Sequence, residues 1–282
     1  MRENIFHPAV VLALFCPIIV LTMFGIAPVL AAVSLAGAFL FSALGIGLRA
    51  SLAKLRWQLP LLAIICLANP LFSAMGSTLL ARVGPWRVYA ESLAFGATMG
   101  ALLVSVLMWI EALAHELGAD EFLALAGARL PRASLAVSMV SRLVPELMRR
   151  ADEVRRVSIV SDPKAGSGAR AGAKVMGSLV TWSLEDSIER ADSMRARGWG
   201  ADVRRSSYSP YRFRARDALG LAVCAALAFA AAAGVAAVLS GWSFYPRLSG
   251  TAPWIAVLPF ALLCLAPSAA RLFEARLWGR MP

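Results

Sequence analysis

The chain has 282 residues and a net charge of +11; 59% of its residues are hydrophobic and only 16% are charged. A globular chain is about a quarter charged, so this balance, with a mean hydropathy of +0.69, excludes an ordinary soluble enzyme or binding domain. It predicts an integral membrane protein. The basic excess lies mostly between apolar runs, as the positive-inside rule requires, and no RNA- or DNA-reading motif accompanies it. Nucleic acid is therefore not an expected partner.

In chain order, Pro8–Ala27 and Pro28–Leu48 are two apolar segments broken at Gly25–Pro28, which predicts a tight helical hairpin. The N-terminus reads as an uncleaved first span, because a second apolar run follows the first at once. Arg49–Gln58 carries Arg49, Lys54 and Arg56 without an acid and is expected to be a cytoplasmic loop. Leu59–Leu80 is the third expected span, interrupted at Asn69–Pro70. Ala81–Val88, with Arg82 and Arg87, is expected outside. Tyr89–Ile110 is the fourth span, with Gly96 and Gly100 placed to let another helix approach closely. Its Glu91 reads as interfacial. Cys16, Cys66, Cys224 and Cys264 all lie in apolar runs without CxxC pairing and read as small hydrophobes.

From Glu111 to Arg216 the character changes: this stretch holds 18 of the 28 basic residues and 13 of the 17 acids. It has no uncharged apolar run of the roughly 18 residues that would mark a span. Three amphipathic helices are predicted. The first covers about Trp109–Ala126 and leads to a Gly127–Pro131 turn. The second covers about Ala133–Val160, with Leu135, Met139, Leu143, Leu147, Ala151 and Val154 on one stripe and an expected kink at Pro145. A loop, Ser161–Gly172, precedes the third, about Ala173–Arg197. There Leu184, Ile188, Ala191 and Met194 share one face, Glu185, Asp186, Glu189 and Asp192 crowd the early turns, and Arg195 and Arg197 stand in the last. Gly198 follows where a helix favours a left-handed residue.

A basic tract with interleaved tyrosines, Arg204, Arg205, Tyr208, Tyr211, Arg212, Arg214 and Arg216, reads as a cytoplasmic flank facing anionic lipid. Asp217–Gly241 and Pro253–Phe273 are the fifth and sixth spans, joined by an external loop at Trp242–Ala252. Arg271, Arg276 and Arg280 place the C-terminus inside. The expected architecture is all-α: residues 1–110 hold four spans, 111–216 a cytoplasmic helical region, and 217–282 two spans. No GxxxxGK[ST], HExxH or GxSxG motif occurs. The expectation is a non-catalytic chain that binds no cofactor or metal itself.

The segment Arg190–Ala191–Asp192–Ser193–Met194–Arg195–Ala196–Arg197–Gly198–Trp199 resembles the second coupling helix of the transmembrane (T) component of energy-coupling factor transporters. These are ABC-type systems for uptake of vitamins and transition metals, of the cobalt, biotin and thiamine kind. Arg142–Leu143–Val144–Pro145–Glu146 resembles the Arg-Phe-x-Pro segment that opens the other coupling helix. The similarity extends over most of the chain, from His7–Pro8 to Asp217. It implies a multi-pass protein of a bacterial inner membrane, with both termini cytoplasmic. The implied partners are two ABC ATPase subunits, which hold the ATP and Mg, a substrate-binding membrane subunit, and membrane lipid. It assigns Ala196, Arg197 and Gly198, with Arg195, to ATPase coupling. Leu184, Ile188, Met194, Leu143 and Leu147 are assigned to the bundle or substrate subunit, and Arg142 and Pro145 to the helix kink. One departure stands out: the first Ala-Arg-Gly would fall at Val160–Ser161–Asp162, where no arginine stands, so Arg155 and Arg156 are the partial substitutes. The competing classes are a membrane-embedded enzyme, such as a lipid head-group transferase, and a permease that binds substrate itself.

Overall fold

A computed structural model describes residues 7–72, 76–83, 86–161, 169–201 and 213–278. In chain order its elements are α1 (Pro8–Phe24), α2 (Pro28–Ile46), α3 (Leu48–Phe72), β1 (Leu79–Val83), β2 (Trp86–Tyr89), α4 (Ala90–Glu116) and α5 (Ala119–Arg129). They continue with α6 (Pro131–Ser161), α7 (Ala169–Ala196), α8 (Ala215–Gly241), β3 (Trp242–Ser243), β4 (Ser249–Gly250) and α9 (Trp254–Trp278). The fold is an all-α bundle with two small antiparallel hairpins, β1–β2 and β3–β4. The chain divides into two compact units, Met1–Phe122 with Tyr211–Pro282, and Leu123–Pro210.

Among the described residues, the first unit contains five helices long and apolar enough to cross a membrane: α2, α3, α4, α8 and the Trp254–Phe273 part of α9. The sixth expected crossing, α1, is apolar but has 17 residues, short of the roughly 20 of a perpendicular span. Its start is well defined: Pro8 occupies the first turn, where no amide is lost, and the His7 ring nitrogen Nδ1 accepts the Ala9 amide at 3.2 Å. Pro28 opens α2 in the same way.

Side-chain pairs fix how these helices run. Thr22 meets Ser34, and Phe15 meets Phe41, so α1 and α2 are antiparallel. Ser34 meets Ser105, and Phe41 packs on Trp109, so α2 and α4 are parallel. Gly96 lies against Cys66 and Asn69, and Gly100 against Leu62. That makes α3 and α4 antiparallel and shows the close approach expected at this glycine pair. A Cβ on Gly96 would come to 3.0 Å from the Cys66 carbonyl oxygen, so a larger residue would push the helices apart. The core is Phe15, Ile18, Leu30, Phe41, Val104, Trp109, Val235, Phe260 and Leu263.

At the centre of that core, the Ser34 hydroxyl holds three partners. Thr22 Oγ1 lies at 2.9 Å, Ser105 Oγ at 3.2 Å, and the Trp109 indole donates at 3.1 Å. In a medium without water these groups must satisfy one another.

Several expectations need correction. Arg49–Gln58 is not a loop: it forms the first turns of α3, which restarts directly after Gly47 at φ +94°. The stretch contains no glycine or proline, and its Leu, Ala, Lys and Arg are good helix formers. The third span begins eleven residues earlier than expected, runs through Pro60, and ends at Phe72 instead of Leu80; Leu79 opens β1. The helix expected over Trp109–Ala126 is two, because α4 continues to Glu116 and α5 starts at Ala119, beyond Gly118. The expected Gly127–Pro131 turn shrinks to Leu130, since α5 includes Gly127. Glu91 stands in the first turn of α4, at the helix end as expected, but is 2% exposed. Its carboxylate accepts bonds from the Ser77 hydroxyl (3.0 Å), the Thr78 amide (3.2 Å) and the Thr78 hydroxyl. It thereby ties the chain before β1 to the first turn of α4, where a negative charge suits the helix dipole.

Candidate functional site

The second unit is built on α6 and α7, which pair antiparallel. The stripe expected on α6 is the one that pairs: Leu135, Met139, Leu143, Leu147, Ala151 and Val154 are all half-buried. From α7 the half-buried residues are Val175, Leu179, Trp182, Ser183, Asp186, Arg190, Ala191 and Met194, most of which recur at helical spacing. α6 is continuous through Pro145. Arg142 is exposed on it, three residues before the proline.

Polar contacts clamp the pair. Arg190 donates to Asp186 on its own helix at 2.5 Å and to Glu146 of α6 at 3.0 Å. These two carboxylates, Asp186 first, hold its guanidinium above the ordinary range. Arg150 lies 4.0 Å over the Trp182 ring. The bridge makes a simple prediction. Arg190→Glu should sharply increase the rate of proteolytic cutting between α6 and α7, and adding Glu146→Arg should restore much of the protection. Equal cutting of the single and double variants would show that the bridge does not hold the pair.

The face expected to carry Leu184, Ile188, Ala191 and Met194 together splits in two. Ala191 and Met194 turn toward α6, whereas Leu184 and Ile188 are 63% and 65% exposed and form an outer row with Met176 and Val180. The reason lies in helical geometry: spacings of four residues drift around a 3.6-residue turn, so the row leaves the paired face.

The α7 C-terminus closes as expected. Gly198 adopts φ +83°, its amide bonds the Arg195 carbonyl at 2.9 Å, and the Trp199 amide bonds the Met194 carbonyl at 2.9 Å. That double closure is a Schellman turn, and only glycine takes its left-handed position without strain. It leaves Ala196 and Arg197 exposed at the tip, beside Arg195, which is 3.5 Å from Asp192. Arg155 and Arg156 are exposed near the far end of α6. Asp162, Ser167 and the tract from Arg204 to Arg212 lie outside the described residues.

A second charged cluster, in the first unit, was not foreseen. Lys54 of α3 pairs with Glu111 of α4, and Arg271 of α9 pairs with Glu116 of α4. Arg271 also lies 4.3 Å over the Phe41 ring of α2. With Ser42, Ile46, Met108, Ala112 and His115, Lys54, Glu111 and Arg271 line a small cavity. The available signal was the placement of charges near the ends of apolar runs; assigning Lys54 to a loop hid its partner. A third contact joins helix N-termini: Asp217 accepts the His7 amide at 3.3 Å and the Arg214 amide at 2.9 Å.

Among the described residues, no group of three or more His, Cys, Asp or Glu could hold a metal ion. The four cysteines are free. No protein-family model and no curated protein matches the chain.

Proposed function

We propose that this chain is the non-catalytic T component of an energy-coupling factor uptake transporter. In this reading two separate ATPase subunits hold ATP and Mg, and a substrate-binding membrane subunit holds the vitamin or metal cargo. The observation that carries the reading is the α7 tip: a glycine-closed helix end that leaves Arg195 and Arg197 exposed. A guanidinium offers a planar fork of donors to a carboxylate, and a fixed turn sets the direction of that fork. The clamped α6–α7 pair supports it as a stiff element able to carry a push, and the apolar helices of the first unit support a membrane setting. Leu143 and Leu147 serve the pair itself, while the outer Leu184–Ile188 row is free to meet the substrate subunit.

Purification from the native membrane tests the reading. The chain should bring down ATPase subunits, and ATP turnover should appear only when they are present. Turnover of ATP or lipid by the chain alone would replace the reading with a membrane-embedded enzyme. Topology gives a second check, for a bacterial inner membrane with both termini cytoplasmic. A cysteine installed at Ser249 should label from outside intact cells, and one at Ser167 should not. The reverse pattern would overturn this orientation.

A further inference from the structure

The first turns of α3, Leu48–Leu59, end at a backbone irregularity on either side. Before them Gly47 takes φ +94°, and among the described residues a Cβ there would meet nothing within 4 Å; the chain turns in open space on the residue with the widest backbone freedom. After them Pro60 stands inside the helix and lacks the amide that would bond the Arg56 carbonyl. Between the two, Ser51, Lys54, Leu55 and Gln58 face the bundle, while Leu48, Arg49, Leu52, Arg56 and Trp57 are exposed. The polar hold is slight. The Ser51 and Ser42 hydroxyls lie 2.9 Å apart. Lys54 pairs with Glu111, but their side chains are 33% and 49% exposed, against 14% and 19% for Arg271 and Glu116 nearby. An ion pair so open to solvent contributes little and weakens further with salt. Gln58 Oε1 is shut from solvent without a hydrogen-bond partner among the described residues, a cost that ends when the segment moves out. Behind the segment lies the cavity of about 20 Å³ lined by Met108, Glu111, His115 and Arg271, with Lys54 in its wall. It has room for one water molecule.

We infer that Leu48–Leu59 is a hinged arm that swings on Gly47 and Pro60, with the Lys54–Glu111 pair as its latch, and that its outward movement opens this cavity to water. Opening parts Lys54 from Glu111 and Ser51 from Ser42, and draws Leu55 from the edge of the core. Arg271 stays where it is. It fills the notch left by Gly45, lies over the Phe41 ring and pairs with Glu116, so α2, α4 and α9 keep their contacts while the arm moves. Beyond the arm, the close approach at Gly96 and Gly100 keeps the rest of α3 against α4. Neither the hinges nor the latch depends on the transport role.

The test uses the full chain in lipid nanodiscs, with Cys16, Cys66, Cys224 and Cys264 replaced by alanine and Met108→Cys as the one thiol. Met108 is 4% exposed and lines the cavity, so its rate of reaction with an uncharged, water-soluble maleimide follows the open fraction. Lys54→Gln should raise that rate by about two- to fivefold, the range for a half-exposed ion pair. Glu111→Gln should do the same, and Lys54→Glu combined with Glu111→Lys should return the rate to its starting value. Going from about 0.1 M to about 1 M salt shortens the screening length from about 10 Å to about 3 Å. That step should speed the reaction where the latch is intact and leave the Lys54→Gln rate unchanged. Pro60→Ala, which restores the missing helical bond, and Gln58→Leu, which removes the unpartnered oxygen, should each slow it. A chain keeping native Cys264 alone is the control: this thiol is 1% exposed in the core, and none of these changes should alter its rate. No measurable reaction at Met108→Cys, a rate that ignores Lys54→Gln or salt, or a rate that rises with Pro60→Ala overturns the inference. So does a Cys264 rate that rises in step, since the whole bundle would then be loosening. Should the latch variants misfold, the salt response of the chain with Lys54 and Glu111 intact decides the matter.

Discussion

If α7 couples this chain to ATPase subunits as proposed, Arg197→Ala should strip those subunits from it while leaving its insertion in the membrane unchanged. The side chain is exposed at the end of α7, so its removal disturbs no packing in this chain. Losing one arm of an arginine–carboxylate contact that is desolvated in a complex costs roughly 2–5 kcal/mol of association, enough to lower copurification by more than tenfold. Gly198→Ala is the companion variant. It keeps the charge but forces a residue with a Cβ into φ +83°, at about 1–2 kcal/mol, and so should redirect the tip. Truncating Arg155 and Arg156 together should weaken assembly less than Arg197→Ala does, because they stand on turns inside α6 and not at a helix tip. If Arg197→Ala copurifies and supports uptake like the parent, the tip is not the coupling contact. Equal losses from the two sites would show that α6 and α7 dock alike despite the missing arginine at Ser161.

The largest loss of stability is expected from Trp109→Ala. The indole is fully buried, packs edge-on against Phe15 and at a tilt on Phe41, and donates to Ser34. Removing a large aromatic from a packed interior costs roughly 3–5 kcal/mol. In a bilayer the low end applies, since lipid tails are as apolar as the core and only packing and hydrogen bonding remain. Trp109→Phe separates the two contributions. It keeps a six-membered aromatic ring but deletes the donor with the rest of the pyrrole ring, so it should cost about 0.6 kcal/mol for the bond, the mean between membrane helices, plus a small cavity contribution. Unfolding midpoints of the purified chain measure both. A Phe variant as unstable as the Ala variant would mean that the hydrogen bond, and not the packing, carries the effect.

The features legible in the sequence were those written locally. Proline at the first turn of α1 and α2, the uncharged runs, the Gly96–Gly100 pair and the left-handed Gly198 each depend on residues within a few positions, and the structure shows all of them. The heptad-like stripe of α6 was readable for the same reason. What stayed hidden depended on partners distant in the chain. Lys54 and Arg56 read as loop residues because charge was taken as a boundary, whereas Lys54 sits on a helix with Glu111 waiting 57 residues later. Glu91 read as interfacial from its place near a helix end, but no local signal showed that Ser77 and Thr78 would fold back to donate to it. Within the candidate site, the tip was legible but the Arg190–Glu146 clamp was not, since it joins helices 44 residues apart.

The Ser34 hydroxyl, bonded at once to α1 through Thr22 and to α4 through Ser105 and Trp109, limits what kind of motion the bundle can make. Apolar side chains can slip past one another in lipid at small cost, because each neighbour left behind is replaced by a similar one. A hydroxyl loses more, because its partners stand at this register alone. Sliding or twisting α2 against its neighbours would break three bonds together, at roughly 0.6 kcal/mol each. That cost favours α1, α2 and α4 moving together over slipping past one another. Tilting or displacement of the three as a block, like a lever that turns without bending, leaves all three bonds in place.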